Sequence, residues 1–235
     1  MSRIIVTEYP KSGGTWITSL LGDTLHYDKR DIYVGNGFNL FDISKHPWYE
    51  GLSDLNITDD CVIKSHELPD SRIVDFPAKY IHLIRDGRDV VTSKYFYEHD
   101  FCVKNMIYDA FFVPFDDYLT RVTLEWKDYI LCWLERSDII CKYEDFLSDP
   151  ATTLKFVIER LDLEASVESI NLAITLNTKD KIRKALDKTF EHNTFVRKGE
   201  SNDWKNYFSE FNKAAFKKIA GDVLITLNYE KSLDW

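Results

Sequence analysis

The segment of residues 10–16 (PKSGGTW) contains groups that could bind an anion. It lies between a β-branched run at residues 3–9, which predicts a strand, and a helical spacing of apolar residues over 15–25. A glycine turn between a strand and a helix exposes backbone N–H groups beside the positive end of the helix dipole, and this geometry binds phosphate or sulfate. Lys11 would add a positive charge and Thr15 a hydroxyl donor. The lysine precedes the glycines, unlike in the nucleotide P-loop, and an ordinary turn with a solvated lysine is the alternative.

A second segment, residues 81–95 (IHLIRDGRDVVTSKY), runs from a strand pattern into a helical one. Arg85 would stand at the end of the strand, where α/β sheets bind ligands, and Ser93 follows two helical turns later. A forked guanidinium and a hydroxyl could together clamp a terminal phosphate. A surface arginine that pairs with Asp86 or Asp89 is the alternative.

A third segment, residues 62–66 (VIKSH), ends a strand pattern in Lys64 and His66, which have the same parity and would meet at one sheet edge. Histidine titrates near neutrality and can take a proton from a hydroxyl, while a lysine can stabilise negative charge on a bridging oxygen. A structural histidine is the alternative. The six histidines and four cysteines show no metal-ligand spacing, so we predict no metal site.

The elements that would position these groups alternate between strands and helices. Strand patterns cover residues 3–9, 61–64, 79–84 and 138–142, and helical patterns cover residues 15–25, 87–97 and 116–135. Asp149 and Pro150 start a further helix, and helical patterns dominate to residue 227. Residues 27–60 contain several glycines and a proline, which predict loops and short helices. The sequence therefore predicts one α/β domain over residues 1–235, a central parallel sheet flanked by helices with a P-loop-like strand-loop-helix.

The composition excludes several kinds of partner. The 235 residues are 44% hydrophobic and 29% charged, which is typical of a globular protein with a sizeable core. The net charge of −9 predicts no diffuse attraction to nucleic acid or anionic membrane, so an anion must be bound by a few local cations and amides. No apolar run approaches the roughly 18 residues of a membrane span, and no secretory pattern opens the chain. These features predict a cytoplasmic protein.

Residues 9–16 (YPKSGGTW) resemble the 5′-phosphosulfate loop of the cytosolic sulfotransferases, which reads YPKSGTTW in that family. These enzymes use 3′-phosphoadenosine 5′-phosphosulfate (PAPS) as the sulfuryl donor. The resemblance implies that the loop residues bind the donor, namely Lys11, Ser12, Gly13, Gly14, Thr15 and Trp16. The family has threonine at the position of Gly14. One side-chain hydroxyl is lost there, whereas the backbone N–H that faces the phosphosulfate remains.

Further strings occur in the same order as in the family and extend the resemblance from residue 5 to about residue 208. Arg85 and Ser93 have the spacing of its 3′-phosphate motif, and residues 64–66 are similar to its Lys-Thr-His segment, whose histidine is the catalytic base. Residues 197–206 (RKGESNDWKN) resemble the segment RKGxxGDWKN. This match implies that the 3′-phosphate end is bound by Arg197, Lys198 and Gly199. Asn202 replaces a glycine of the segment, and asparagine tolerates left-handed backbone angles.

Three aromatic residues are implied to hold the adenine. Tyr143 in the string KYED matches a tyrosine that reaches the adenine in the family. Phe190 in the string KTF matches a phenylalanine that stacks on the adenine opposite the loop tryptophan, here Trp16. Stacking between aromatic rings gives affinity that depends little on base edges. Taken alone, Trp16 and Phe190 are more typical of a core.

Two features differ from the family. The loop begins at residue 9, which implies that the segment that many members place before it, and that helps to form their acceptor pocket, is missing. The family's dimerisation segment, KxxxTVxxxE, aligns with residues 205–214 (KNYFSEFNKA), whose Val and Glu positions do not match. We therefore do not predict that mode of dimerisation.

Together these patterns predict a sulfotransferase that moves a sulfuryl group from PAPS to a hydroxyl or amine of a small acceptor, without a metal. His66 would be the general base, and Lys64 and Lys11 would stabilise the charge of the transition state and of the leaving group. A nucleotide-dependent kinase is one alternative, disfavoured by the order of lysine and glycines and by the lack of a Mg²⁺-holding motif. A membrane-anchored carbohydrate sulfotransferase and a catalytically silent nucleotide-binding module are the others. The intact Lys64 and His66 argue against the silent module.

Overall fold

The computed structural model describes residues 2–31, 60–69, 77–104, 113–187 and 197–235. Within them, five strands form one sheet in the order β2-β3-β1-β4-β5, and every neighbouring pair is parallel. The strands are β1 (Arg3–Glu8), β2 (Asp28–Asp31), β3 (Cys61–Ser65), β4 (Lys79–Ile84) and β5 (Ile139–Lys142). The predicted α/β fold with a central parallel sheet is confirmed. Every strand expected from the sequence is present within one or two residues of its predicted bounds.

Strand β2 was not predicted, because residues 27–60 were expected to contain only loops and short helices. The four residues of β2 are all charged, so no β-branched or alternating pattern indicates it. The strand forms at the sheet edge by pairing with β3, from Asp28 opposite Cys61 to Asp31 opposite Lys64. Backbone pairing to an existing edge, rather than side-chain propensity, makes this segment a strand. Residues 32–59 of the same stretch lie outside the described residues.

The helices cover both faces of the sheet. They are α1 (Gly14–Leu25), α2 (Gly87–Phe96), α3 (Phe115–Leu134), α4 (Tyr143–Ser148), α5 (Pro150–Arg160), α6 (Val167–Leu176), α7 (Lys179–Asp187) and α8 (Glu210–Thr226). A π-helical turn, Tyr97–Cys102, continues α2, and a 3₁₀ turn, Asp203–Asn206, precedes α8. Helix α5 starts where the sequence predicted, because the Asp149 side chain accepts a hydrogen bond from the Thr152 amide (3.1 Å) and Pro150 occupies the first turn. No helix in the described part of the chain has the length and apolar character that crossing a bilayer requires.

Two buried clusters lie on opposite faces of the sheet. Ile5 and Ile63 pack into one cluster with the large aromatic rings of α3 and α8, whereas Ile4 and Val62 pack into the other with α1 and α5. Neighbouring residues of a strand point to opposite faces, and both faces of this sheet are covered. Its central strands are therefore almost continuously apolar. The carboxyl ends of these strands, where Lys64 and Glu8 stand, meet at one edge of the sheet.

His82, in the middle of β4, is a buried titratable residue of this core. Its ring lies between those of Tyr129 and Trp133, at centroid distances of 6.0 and 6.4 Å. Burial lowers the pKa of His82 to about 4, although a hydrogen bond with the backbone of Thr7 acts in the opposite direction. His82 is therefore neutral at physiological pH and serves packing.

Candidate active site

The carboxyl edge of the sheet opens into a pocket of about 400 Å³. The ends of β1, β3, β4 and β5 and the loop before α8 supply its walls. Most of the predicted site residues line this pocket: Lys11, Gly13, Gly14, Thr15, Trp16, Lys64, His66, Arg85, Ser93, Tyr143, Arg197, Lys198 and Gly199. Ser12 is not on the pocket wall, and its hydroxyl is buried without a hydrogen-bond partner among the described residues. Phe190 lies outside the described residues.

The loop between β1 and α1 has an unusual backbone conformation. Lys11 has a φ of 77° and Gly13 a φ of 101°, and α1 starts directly after Gly13. A Cβ atom at Gly13 would lie 2.4 Å from the ring of Tyr143, so this position needs glycine for its backbone angle and for its lack of a side chain. The turn brings the first residues of α1 to the pocket wall. The helix dipole favours an anion there. The Gly14 amide, expected to face the phosphosulfate, instead donates to Oε2 of Glu8 (2.5 Å), and the amides of Ser12 and Trp16 donate to the backbone oxygens of Tyr9 and Gly13.

Lys11 is held in an environment that disfavours its charge. Desolvation of its ammonium lowers the pKa of Lys11 to about 7; Glu8 opposes this effect, and the positive charges of Lys64 and Arg85 add to it. The ammonium nitrogen also lies 4.2 Å from the centroid of the Tyr97 ring. An anion bound beside Lys11 would therefore favour its protonation.

Lys64 and His66 connect the end of β3 to the loop and to β1. The Lys64 ammonium donates to the hydroxyl of Thr15, with the nitrogen and oxygen 3.4 Å apart. Nδ1 of His66 lies 2.9 Å from the backbone oxygen of Glu8. A carbonyl oxygen can only accept a hydrogen bond, so Nδ1 carries the proton. In the neutral ring, the lone pair is then on Nε2, which is the nitrogen able to act as a base.

Arg85 joins the loop before α1 to the loop before α8. Its guanidinium donates from Nη1 to the backbone oxygen of Lys11 (3.0 Å) and from Nη2 to that of Glu200 (2.9 Å). It also lies over the ring of Tyr143, 4.5 Å from the centroid. Nε of Arg85 is buried and has no partner among the described residues. The two neighbouring loops thus hold a nearly buried guanidinium at the pocket wall.

The carboxylates that could have paired with Arg85 bind other groups. Asp86 forms an ion pair with Arg88 (2.6 Å), and Asp89 accepts from the amides of Asn202 (2.7 Å) and Trp204 (2.9 Å). Asn202 has a φ of 66°, which confirms that asparagine adopts the left-handed conformation at the position where the family has glycine. The contacts of Asp89 fasten the loop before α8 to α2.

Arg197 and Lys198 are held at the pocket by one acidic residue. Both side chains hydrogen-bond to Asp203, with Nζ of Lys198 2.5 Å from Oδ1. Burial raises the pKa of Asp203, but the hydrogen bonds from Lys198, Asn206 and Arg197 outweigh this effect and lower it below its usual value. These two cations line the same pocket as Ser93 and Arg85.

Several pocket residues were not indicated by the sequence patterns: Glu8, Leu20, Tyr97, Leu147, Ile174, Asn177, Thr178, Lys179, Ile182 and Glu200. Those at the junction of α6 and α7 belong to no motif. They reach the pocket because the indole nitrogen of Trp16 donates to the backbone oxygen of Asn177 (3.0 Å). Glu8 had a detectable signal, because it is the one acidic residue in the apolar run of residues 3–9.

The described residues contain no group of three or more His, Cys, Asp or Glu side chains that could hold a metal ion. Lysine and arginine side chains line the pocket wall, and such cations suit an anionic ligand.

Comparisons with known proteins agree with the fold and with the motifs. Sulfotransferase 2A1 of Homo sapiens is 27% identical over 97% of this chain and 86% of its own length. Flavonol 4′-sulfotransferase of Flaveria chlorifolia is 26% identical over 94% of this chain and 78% of its own length.

Two crystal structures share the fold. Mouse sulfotransferase SULT7A1 complexed with PAP superimposes with a TM-score of 0.74 at 18% identity, over 99% of this chain and 87% of that one. Retinol dehydratase in complex with androsterone and the inactive cofactor PAP superimposes with a TM-score of 0.69 at 19% identity, over 94% and 80%. The model of the sulfotransferase domain family matches residues 1–228. Because this match spans nearly the whole chain, the protein belongs to the sulfotransferase domain family, as its motifs indicated, and is a sulfotransferase.

Proposed function

We propose that this sulfotransferase transfers the sulfuryl group of PAPS to a hydroxyl or amine of a small acceptor, with adenosine 3′,5′-diphosphate (PAP) as the second product. The observation that carries the proposal is the double contact of Arg85 with the backbones of Lys11 and Glu200. It joins two groups of anion-binding residues in one pocket. A nucleotide with charged groups at both the 5′ and the 3′ positions needs two such sets of anion-binding residues.

The loop before α1 would bind the 5′-phosphosulfate. Lys11 supplies a charge, Gly13 and Gly14 line the wall with backbone alone, and Thr15 supplies a hydroxyl. Ser12 contributes least, because its amide already donates to the backbone oxygen of Tyr9 (3.1 Å) and its hydroxyl is off the wall. The Gly14 amide already donates to Oε2 of Glu8 (2.5 Å), so the contribution of this loop rests on the Lys11 charge, the Thr15 hydroxyl and the positive end of the α1 dipole.

The 3′-phosphate would be bound by Arg85 and Ser93 together with Arg197, Lys198 and the backbone of Gly199. The buried Nε of Arg85 supports this assignment, because a buried donor costs free energy unless a ligand satisfies it. The adenine would lie against Trp16 and Tyr143, whose rings meet edge-to-face with centroids 5.7 Å apart. Phe190 stays a prediction for the opposite face.

His66 would act as the general base through Nε2. It would take the proton of the acceptor hydroxyl while the acceptor oxygen bonds to sulfur and the bond from sulfur to the 5′-phosphate oxygen breaks. Lys64, in contact with Thr15, and Lys11 would stabilise the charge that develops on the sulfuryl oxygens and on the leaving oxygen. A sulfuryl group carries less negative charge than a phosphoryl group, so these side chains suffice without a metal.

The acceptor class rests on relatives and on composition. Two retinol dehydratase complexes contain retinol or androsterone, both apolar alcohols. The aromatic content of this chain, 14%, suits a similar apolar acceptor. We extend to this chain the class of small apolar alcohols and phenols, and we keep a cytoplasmic location as a prediction.

A turnover assay and a binding assay together test the proposal. Incubation of the protein with PAPS and a panel of alcohols, phenols and amines, followed by mass spectrometry, is expected to yield sulfated product with or without EDTA. A kinase would require ATP and Mg²⁺ instead, and a silent module would bind PAP without turnover. In thermal denaturation, PAP at about 100 times its Kd should stabilise the fold by about 2.7 kcal/mol. Equal thermal shifts from PAP and from AMP would contradict the 3′-phosphate assignment.

A further inference from the structure

An acidic side chain lies inside this anion-binding pocket. Glu8 is the last residue of β1, is 2% exposed, and lines the pocket together with Lys11, Lys64 and His66. Its Oε2 accepts a hydrogen bond from the amide of Gly14 (2.5 Å), and its Oε1 lies 4.0 Å from Nδ1 of His66. A carboxylate in this place repels an anionic donor. Its contacts with the Gly14 amide and its effect on the charge of Lys11 offset part of this repulsion.

The space for this carboxylate depends on Gly14. A Cβ atom at residue 14 would lie 2.3 Å from both Cδ and Oε1 of Glu8. The resembled family has threonine at this position, whose side chain is larger still. The Glu8 carboxylate can occupy this position only because residue 14 is glycine and not the threonine of the family. The two residues therefore form one structural feature.

We propose that Glu8 is a positioning residue for the general base His66. This proposal rests on the proposed sulfuryl transfer. The backbone oxygen of Glu8 holds Nδ1–H of His66, which leaves the lone pair on Nε2. The Glu8 carboxylate then stabilises the imidazolium that forms when Nε2 takes the acceptor proton. The acceptor oxygen forms its bond to sulfur, and the electron pair of the broken sulfur–oxygen bond leaves with PAP.

The other charged groups of the pocket explain why the base needs this partner. Lys64 at the end of β3, Lys11 in the loop and Arg85 at the end of β4 are cations on the same pocket wall as His66. Nearby cations disfavour the imidazolium and make histidine a weaker base. Glu8 is the acidic side chain that comes closest to Nδ1 among those described, at 4.0 Å. It offsets the cations at the position where positive charge appears.

Glu8→Gln tests the charge without changing the shape, since the glutamine oxygen can still accept from the Gly14 amide. We expect kcat to fall about tenfold and the pKa of His66, followed by ¹⁵N–¹H NMR, to fall, because the variant removes the negative charge that lies 4.0 Å from Nδ1. The Nδ1–H tautomer should persist. Glu159→Gln on the exposed face of α5 is the matched control and should change none of these values.

Three outcomes of this experiment decide between explanations. An unchanged kcat together with an unchanged pKa of His66 overturns the proposal. Tighter donor binding with faster turnover also overturns it, because Glu8 would then only compete with the donor. Absence of sulfuryl transfer in the wild-type protein would instead refute the proposed function, and the NMR titration would still decide whether Glu8 and His66 are coupled.

A double-mutant cycle tests the dependence on Gly14 separately. Gly14→Thr alone should lower the melting temperature by several degrees, because the new side chain overlaps the Glu8 carboxylate. In the Glu8→Ala background, the same change should cost less than half as much. An equal loss in both backgrounds would show that the space at residue 14 is unrelated to Glu8 and would overturn this part of the proposal.

Discussion

If Lys11 binds the donor as proposed, its pKa is expected to make donor binding depend on pH. Desolvation lowers this pKa to about 7 in the protein without donor, with Glu8 opposing and Lys64 adding to the effect. A phosphate or phosphosulfate beside the ammonium favours its charged form, so the pKa rises in the complex. Above pH 7 the complex then holds a proton that the free protein lacks. Binding takes up this proton, and the affinity decreases as the pH rises.

The size of the effect follows from the fraction of protein with a charged Lys11. With a pKa of about 7, this fraction falls from about nine-tenths at pH 6 to about one-hundredth at pH 9. If the complex keeps the proton up to pH 9, the Kd for PAP increases about 100-fold over this range, or roughly 2.7 kcal/mol at about 1.36 kcal/mol per tenfold.

Isothermal titration calorimetry with PAP at pH 6, 7, 8 and 9, in buffers of different ionisation enthalpy, measures both the Kd and the protons taken up. We expect an uptake of about half a proton at pH 7 and about one at pH 9. Lys11→Arg is the matched control, because arginine keeps the charge and does not titrate in this range. The phosphates of PAP, which ionise near pH 6, contribute equally to both proteins. The same pH dependence in wild type and Lys11→Arg would refute this reasoning.

Three further predictions concern single side chains. Arg85→Ala should weaken PAP binding by more than the roughly 1.5–3 kcal/mol of one charge-assisted hydrogen bond, because a buried phosphate loses its partner; unchanged affinity in calorimetry would mean that Arg85 serves only to join the loops. His66→Ala should lower kcat about 10²- to 10⁴-fold while PAP binding stays the same, with a smaller loss for a phenol that is already ionised. Wild-type turnover of a neutral alcohol by this variant would show that His66 is not the base. His82 should make the fold sensitive to acid. Its pKa is about 4 in the folded protein and 6.5 in the unfolded chain, so the unfolded chain binds the proton more tightly. The free energy of unfolding therefore falls by about 3 kcal/mol between pH 6.5 and pH 4. His82→Gln should reduce this slope in urea unfolding, and an identical slope would assign the acid sensitivity to other groups.

Much of the fold and of the candidate site could be predicted because the relevant signals are local. Lys11, Lys64 and Arg85 each stand at or just after the end of an apolar run, and an apolar run between turns indicates a buried strand. Parallel strands place their carboxyl ends at one edge. The residues that follow three separate strands were therefore expected near each other before their distances were known.

Strand β2 could not be predicted, because its charged residues contain no information about the edge that they join. Glu8 could not be assigned a role, since its contacts with Gly14 and His66 depend on how β1, the loop and β3 meet in space. The junction of α6 and α7 reaches the pocket through Trp16, a contact across 161 positions of sequence that no motif records.

The sequence by itself determined which residues stand at the strand ends and which order of motifs they form, because hydrophobic periodicity and turn chemistry act over a few neighbouring residues. The tertiary structure alone decided how these groups act on one another. Arg85 bridges two loops that are 74 and 115 positions away from it, and Lys11 has a pKa of about 7 because the folded chain removes water from its ammonium. Desolvation and long-range contacts depend on packing in three dimensions, and no local pattern encodes them.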